Sequence, residues 1–160
     1  MSAVHPDTLA ALSAGIQSEV ASYVFYLEAA KKTEAGQHKE VLQKLALEEK
    51  DHFHVLERQY DSLIRSEKWI STADILKQEG LPEITEAMSR EHQELIDEVS
   101  NANSMAAILD IAYRLEEDAH KLFDGAKDKV DSDEGRKMFE KLSKFEEGHM
   151  KMIAEMQAAL

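Results

Sequence analysis

Two Glu-x-x-His pairs lie in the sequence where long helices should present leucines to a core. Glu49 pairs with His52 and Glu146 pairs with His149, and residues three apart share one face of a helix. Each pair falls in a seam of positions spaced alternately by four and three residues, as in a helical bundle. The two seams are Leu42, Leu45, Glu49, His52 and Leu56, and Phe139, Leu142, Glu146, His149 and Ile153. Because a buried polar group is costly without a partner, these seams predict a bound metal ion.

The second half of the sequence repeats the first half at an offset of 97 residues (116 − 19). Two further glutamates, Glu19 and Glu116, lie in the apolar seams of two other predicted helices. Glu19 precedes Glu49 by 30 positions (49 − 19), and Glu116 precedes Glu146 by the same number (146 − 116). The chain is therefore a duplicated helical hairpin, and each copy has one lone Glu and one Glu-x-x-His. The same offset pairs Tyr26 with Phe123, Leu42 with Phe139, Leu45 with Leu142 and Leu56 with Ile153.

The composition favours helix throughout the chain. Only two prolines and six glycines interrupt 160 residues rich in Ala, Leu, Glu and Lys, so we expect one all-α domain over residues 1–160. After a tail at residues 1–6, the seams predict long helices at 8–33 and 38–66, a third after a cap at 103–104, and a fourth from a turn at 131–135 to the C-terminus. The tract between 66 and 103, with a short helix at 72–78, is predicted to cross the bundle, so that the second and third long helices run parallel.

The charge and the cysteine content exclude several classes of function. A net charge of −13 argues against nucleic acid or an anionic membrane as a partner. Without cysteine the chain has no disulfide, no Cys-ligated zinc and no iron–sulfur cluster. No window has the pattern of a membrane span or a secretory leader, so the sequence favours a soluble, cytoplasmic protein. His, Glu and Asp remain as the metal ligands.

The seam glutamates and histidines form a predicted ligand set of six residues: Glu19, Glu49, His52, Glu116, Glu146 and His149. Oxygen and imidazole ligands without sulfur suit iron or manganese and disfavour a closed structural zinc site. Four carboxylates also offset the charge of two divalent cations. One Glu from each of two helices, with a Glu-x-x-His from each of two others, is the pattern of ferritin-like di-iron and di-manganese proteins. By analogy with that class, we expect Glu49 and Glu146 to bridge two metals, Glu19 and Glu116 to be terminal ligands, and each metal to take one imidazole.

Three stretches resemble the ferritin-like domain of the rubrerythrin family. They are residues 15–26 (GIQSEVASYVFY), 47–52 (LEEKDH) and 112–119 (AYRLEEDA). The resemblance implies a ferritin-like four-helix bundle with two iron ions, manganese being the alternative, that reacts with peroxide or oxygen and acts in oxidative stress. It also implies catalytic roles for the bridging Glu49 and Glu146 and for Tyr26, which is expected to form a hydrogen bond near the site.

Two features differ from rubrerythrins proper. Those proteins have a further carboxylate one turn after the third-helix glutamate, where this chain has Ala119. They also have a Cys-rich rubredoxin module that supplies electrons, whereas this chain has no cysteine. A peroxidase built on this chain would therefore need a separate electron-donor protein. The symmetric six-ligand set is similar to the one with which bacterioferritins oxidise ferrous iron.

Three functions fit these residues. The first is an oxidoreductase acting on peroxide, oxygen or ferrous iron, the second an iron-storage or iron-handling subunit, and the third a structural bundle stabilised by its metal. By family resemblance we expect a homodimer. Among the residues outside the ligand set, the predictions favour solvent exposure for Glu48, Glu117, Glu147, His54, His92 and His120. A supporting contact with the metal ligands is the alternative for His54 and His120.

Overall fold

The computed structural model describes residues 4–160 and forms seven helices and no strand in that range. The helices are α1 (Pro6–Lys32), α2 (Gln37–Ser66), α3 (Thr72–Leu76), α4 (Glu86–Arg90), α5 (Gln93–Asn101), α6 (Met105–Ala126) and α7 (Asp133–Ala158). The all-α bundle predicted from the seams is confirmed, and α1 and α2 begin within two residues of their predicted starts. The predicted tail is shorter than expected, because α1 starts at Pro6, and residues 1–3 lie outside the described part of the chain.

Two antiparallel hairpins make the bundle. The first pairs α1 with α2 through a short link that ends at Gly36, whose φ of 150° favours glycine. The second pairs α6 with α7, and Ser132 caps α7 by accepting a hydrogen bond from the backbone N–H of Gly135. The hairpins meet where α1 packs against α6, whereas the backbones of α2 and α7 approach each other much less closely. One face of the bundle is therefore more open than the opposite face.

Two apolar layers form most of the core of the bundle, and a smaller third cluster, Val20, Val24 and Phe53, packs against the segment between α2 and α6. The first layer includes Phe25, Tyr26, Leu42, Leu45, Leu109, Ala112 and Ile153. The second includes Leu12, Leu56, Ala119, Phe123, Phe139 and Leu142. Both α2 and α6 run from the first layer to the second, which confirms that they are parallel. The positions that separate the layers along every long helix are the seam glutamates and histidines.

The segment between α2 and α6 carries three short helices and covers part of the first hairpin. Ser71 caps α3, the first of these helices, which ends at Leu76, two residues before its predicted end. The buried His54 donates from Nε2 to the carbonyl oxygen of Pro82 at 2.9 Å, and Lys50 forms an ion pair with Glu83 at 2.6 Å. These contacts hold the crossover against α2. From there the chain continues through α4 and α5 to the start of α6.

Glycine allows two close approaches between elements. A Cβ at Gly15 would lie 3.0 Å from Phe123 Cε1 and 3.1 Å from Leu56 Cδ1, so its absence lets α1 sit deep against the second apolar layer. A Cβ at Gly135 would lie 2.6 Å from the indole of Trp69, which packs on the start of α7. Within residues 4–160, none of the helices combines the length and apolar character needed to cross a bilayer.

Candidate metal centre

Four helices bring the six predicted ligands together between the two apolar layers. Helix α1 contributes one glutamate, α6 contributes one, and α2 and α7 each contribute a Glu-x-x-His. All six side chains are buried, the four glutamates completely: Glu19, Glu49, His52, Glu116, Glu146 and His149. The seam register explains the convergence, because each polar residue takes a position that would otherwise hold an apolar side chain facing the bundle axis.

The cluster has two halves, each centred on one imidazole. In the first half, His52 Nδ1 lies 3.1 Å from Glu146 Oε1 and 3.6 Å from Oε2 of both Glu19 and Glu49. In the second half, His149 Nδ1 lies 2.8 Å from Glu49 Oε1, 3.3 Å from Glu116 Oε2 and 3.5 Å from Glu146 Oε2. In each half, one potential ligand atom from each of four residues lies within 4.8 Å of the others. The arrangement therefore offers two adjacent four-residue metal positions.

Two glutamates belong to both halves. Glu49 directs Oε2 toward His52 and Oε1 toward His149. Glu146 directs Oε1 toward His52 and Oε2 toward His149. Each of these two carboxylates thus has one oxygen facing His52 and the other facing His149, which is the geometry that a bridging ligand requires. It matches the expected bridging roles of these two residues, whose metal binding itself stays a prediction.

The polar atoms of the cluster have the properties of metal ligands. Buried atoms that lack a hydrogen-bond partner are both oxygens of Glu19 and of Glu49, Glu116 Oε2, Glu146 Oε2 and His149 Nδ1. Buried polar atoms are almost always satisfied in folded proteins, so seven such atoms in one place call for a ligand. His149 Nδ1 lies 2.8–3.5 Å from oxygens of three of these glutamates without hydrogen-bond geometry, which is the arrangement expected of atoms that share an ion. This donor set of oxygens and imidazoles fits two divalent cations.

Protons take the place of metal charge when the cluster is metal-free. Burial, with the charges of neighbouring carboxylates, raises the pKa of Glu19 and of Glu116 well above the usual range. Burial also tends to raise the pKa of Glu49 and Glu146. Close contacts with the other glutamates and with the imidazoles nevertheless hold both pKa values below the usual range.

Burial alone would lower the pKa of the two imidazoles, because it disfavours their charged form. The carboxylates that face them have a larger, opposite effect. Contacts with Glu146 and Glu49 raise the pKa of His52 to about 10, and those with Glu116 and Glu146 raise the pKa of His149 well above its usual value. In the metal-free cluster these shifts favour protonated carboxyls at Glu19 and Glu116, ionised carboxylates at Glu49 and Glu146, and imidazolium groups at His52 and His149.

Two side chains outside the ligand set contact the second half of the cluster. Tyr26 Oη donates to Glu116 Oε1 at 2.5 Å, so the hydrogen bond expected from the family resemblance is present. His149 Nε2 lies 2.8 Å from Glu48 Oε2, across the gap between α7 and α2. The prediction that Glu48 points into solvent is therefore wrong, because the side chain is half-buried and contacts His149. Its position one residue before a seam glutamate directs it toward α7 rather than away from the bundle.

The remaining histidines are less exposed than predicted. His54 is buried beneath the crossover, and His92 is half-buried with an unpartnered Nε2. His120 is half-buried on α6, where Nδ1 lies 3.0 Å from both the carbonyl oxygen and the hydroxyl of Ser143 on α7. The hydrogen bonds of His54 and His120 stabilise the crossover and the second hairpin, respectively. The solvated positions predicted for Glu117 and Glu147 agree with the structure, since Glu117 is partly exposed beside a lysine and Glu147 is exposed.

The fold and the site define a class of protein. An all-α bundle with one Glu on each of two helices and a Glu-x-x-His on each of the other two is the architecture of di-metal carboxylate proteins of ferritin-like type. A family model named Rubrerythrin matches residues 10–157, and the chain belongs to the rubrerythrin family. The comparisons with curated proteins and with solved structures found no match. Family membership and the buried Glu/His cluster together support a di-metal site.

Proposed function

We propose that the chain is a non-haem di-iron oxidoreductase of rubrerythrin type, which reduces peroxide or dioxygen or oxidises ferrous iron. One observation carries this proposal: four buried carboxylates and two buried imidazoles converge with seven unpartnered polar atoms. With all four carboxylates ionised and both imidazoles neutral, the set has a charge of −4. Two divalent cations would neutralise that charge, which is the balance that a buried site needs.

The proposed ligands divide between the two metal positions. Glu19 and His52 belong to one, Glu116 and His149 belong to the other, and the bridging Glu49 and Glu146 complete both. Two ferrous ions at these positions would supply two electrons, which reduce hydrogen peroxide to two waters with uptake of two protons. The chain contributes carboxylates that offset the increased charge of ferric iron and two apolar layers that limit access of water.

Tyr26 is proposed to orient Glu116. Its hydroxyl is buried, and burial raises the pKa of Tyr26 well above its usual value. The phenol therefore stays protonated and keeps donating to the same carboxylate oxygen. The other oxygen of Glu116 remains free to face the metal position at His149.

Two partners follow from the proposal. Because the chain contains no cysteine, catalytic turnover with peroxide requires a separate electron-donor protein. We also propose a homodimer, on the basis of the family likeness, and sedimentation velocity would test it. A large shell in that experiment would instead favour the iron-storage function, with which the net charge of −13 is compatible.

Metal content tests the ligand assignment. We expect about two metal ions per chain by plasma mass spectrometry, as in other proteins with this motif. Glu19→Ala and His149→Ala should each lose at least one metal, because each removes a ligand from one position. The matched control is Glu117→Ala, which removes a partly exposed carboxylate beside Glu116 and should keep both metals. A Glu19→Ala or His149→Ala protein that retains two metals would show that the assignment is wrong.

Oxidation kinetics tests the activity. The anaerobically reduced, iron-loaded protein is mixed with peroxide or with dioxygen, and the absorbance of ferric iron is followed by stopped flow. Faster oxidation by peroxide would favour a peroxidase, and faster oxidation by dioxygen would favour an oxidase or ferroxidase. An iron-loaded protein that reacts with neither oxidant, but melts at a higher temperature than the metal-free protein, would leave the metal a structural role only.

A further inference from the structure

The internal repeat is broken at two positions that contact the cluster. The offset of 97 residues pairs Glu48 with Phe145 and Tyr26 with Phe123. Glu48 and Tyr26 each hydrogen-bond with a ligand of the metal position at His149. Their counterparts are both phenylalanines, whose side chains have no donor or acceptor group for the equivalent hydrogen bonds. The two halves of the cluster therefore have the same ligands but different supporting contacts.

The two metal positions share two of their four ligands and differ in the other two. Both bridging glutamates contribute to each position. Glu116 and His149 are the terminal pair of one position, and Glu19 and His52 are the terminal pair of the other. Because the bridging ligands are common to both, a difference in metal affinity arises from the terminal pairs and from the groups that contact them.

Neighbouring side chains orient both terminal ligands of the His149 position. His149 Nδ1 faces the cluster, 2.8 Å from Glu49 Oε1, and Nε2 lies 2.8 Å from Glu48 Oε2. Donation to Glu48 keeps a proton on Nε2, so that Nδ1 can present its lone pair to a metal. Tyr26 donates to Glu116 Oε1, which leaves Oε2 facing His149 Nδ1 at 3.3 Å. Both ligands are therefore oriented before a metal ion binds.

The terminal ligands of the His52 position have different neighbours. Within residues 4–160, both oxygens of Glu19 are buried without a hydrogen-bond partner, whereas Glu116 has one oxygen bound by Tyr26. The ring of Phe145 packs edge-on against His52 at a centroid distance of 5.2 Å. A phenyl ring accepts no proton from the imidazole, so it neither selects a tautomer nor raises the basicity of Nδ1. Binding of the metal must itself order these two ligands.

We propose that the two metal positions fill in order, the His149 position first and the His52 position second. Glu48 and Tyr26 are positioning residues that determine this order. Loss of an outer hydrogen-bond partner typically weakens metal binding by about 10- to 100-fold. With such partners on one position only, the first ion should prefer the His149 position by at least about tenfold. This inference rests on the ligand set proposed above and does not depend on which oxidant reacts.

Partial loading with manganese tests the order without relying on the reactivity of iron. The metal-free protein receives one equivalent of Mn²⁺ per chain at a fixed pH and is crystallised. The anomalous signal of manganese then gives the occupancy of each position. We expect at least about ten times more manganese beside His149 than beside His52. Two equivalents of Mn²⁺ should fill both positions.

Substitutions in both halves test whether the hydrogen bonds cause the order. Glu48→Leu removes the acceptor beside His149 and should lower the occupancy ratio to about one or below, whereas Glu48→Gln keeps an acceptor and should retain part of the preference. Tyr26→Phe should also lower the ratio. Phe145→Glu, at a side chain that is 46% exposed, brings a carboxylate to His52 and should move the ratio toward one by strengthening that position. The matched control is Phe145→Leu, which removes the ring without adding an acceptor and should leave the order unchanged.

Equal occupancy of the two positions in the parent protein would overturn the inference, and so would a preference for the His52 position. An unchanged ratio in both Glu48→Leu and Phe145→Glu would also overturn it, because the order would then have another origin. Failure of the proposed ligand set is recognised separately: two equivalents of Mn²⁺ would leave both positions empty, and the inference would be refuted with it. A loaded protein that reacts with neither oxidant would refute the proposed activity alone, since the occupancies decide the order.

Discussion

Metal binding should release about four protons per chain at pH 7. In the metal-free protein we expect Glu19 and Glu116 each to hold a proton, because burial raises their pKa, and His52 and His149 each to hold one, because the facing carboxylates raise theirs. Two neutral carboxyls, two imidazolium groups and two ionised carboxylates sum to no net charge. The metal-loaded cluster needs four ionised carboxylates and two neutral imidazoles, a charge of −4. Four protons must therefore leave as two divalent ions bind.

The sign of the pH dependence follows from the raised pKa values. Each of these four groups has a raised pKa and must lose its proton when metal binds, so a lower pH favours the metal-free protein and a higher pH favours the metal-loaded one. Two protons per metal ion imply that the dissociation constant increases about 100-fold for each unit of pH decrease near neutrality. The number of protons released should fall as the pH rises through about 10, because metal-free His52 then loses its proton.

A pH-stat gives the number of protons directly. Metal-free protein in weak buffer under argon is titrated with Mn²⁺ or Fe²⁺, and the base needed to hold pH 7 is recorded up to two equivalents. A surface control, Glu117→Gln, should consume the same amount of base as the parent protein. Release of one proton or fewer per metal ion would refute the reasoning. It would mean that the buried glutamates are already ionised, or the imidazoles already neutral, before metal arrives.

Three further predictions concern single side chains. Glu48→Ala should weaken metal binding at the His149 position by about 10- to 100-fold, because the imidazole loses the carboxylate that orients it, and graded chelation would then remove one metal early. Gly135→Ala should lower the stability by about 1–3 kcal/mol in thermal melts, since its Cβ would overlap the neighbouring indole, whereas Gly125→Ala meets no atom within 4 Å and should not destabilise in this way. Glu67→Gly should raise the stability by up to about 1 kcal/mol, because this α2 C-cap has a φ of 57°; an unchanged or lower melting temperature would contradict that reason.

The sequence was sufficient to predict the long helices and the convergence of the six side chains. Both follow from one periodic pattern: a Glu in an apolar seam must face the bundle axis wherever the helix forms. The 30-residue separation of Glu19 from Glu49 then places both at one level of an antiparallel hairpin, and the same spacing does so for Glu116 and Glu146. Helical geometry alone determines these positions, and no tertiary contact is needed to predict them.

Contacts that depend on irregular backbone, or on the distance between two helices, could not be predicted in this way. His54 lies off the seam of α2, and it is buried only because the carbonyl of Pro82 lies above it. Glu48 also lies off the seam, and its contact with His149 depends on how far α7 stands from α2. Neither the fold of the crossover nor the distance between helices has a periodic signature. The offset of 97 residues did contain the signal of asymmetry, since it pairs Glu48 with Phe145.

The covalent crossover between the hairpins has a consequence for how the two metal positions can differ. Two identical hairpins paired about a true two-fold axis would have the same side chain at every equivalent position, so one substitution would alter both metals at once. Joining the copies in one chain removes that constraint. Glu48 and Phe145 can then diverge independently, although both take the place immediately before a bridging glutamate. A single chain can thus assign different tasks to two metals that identical subunits would be obliged to keep alike.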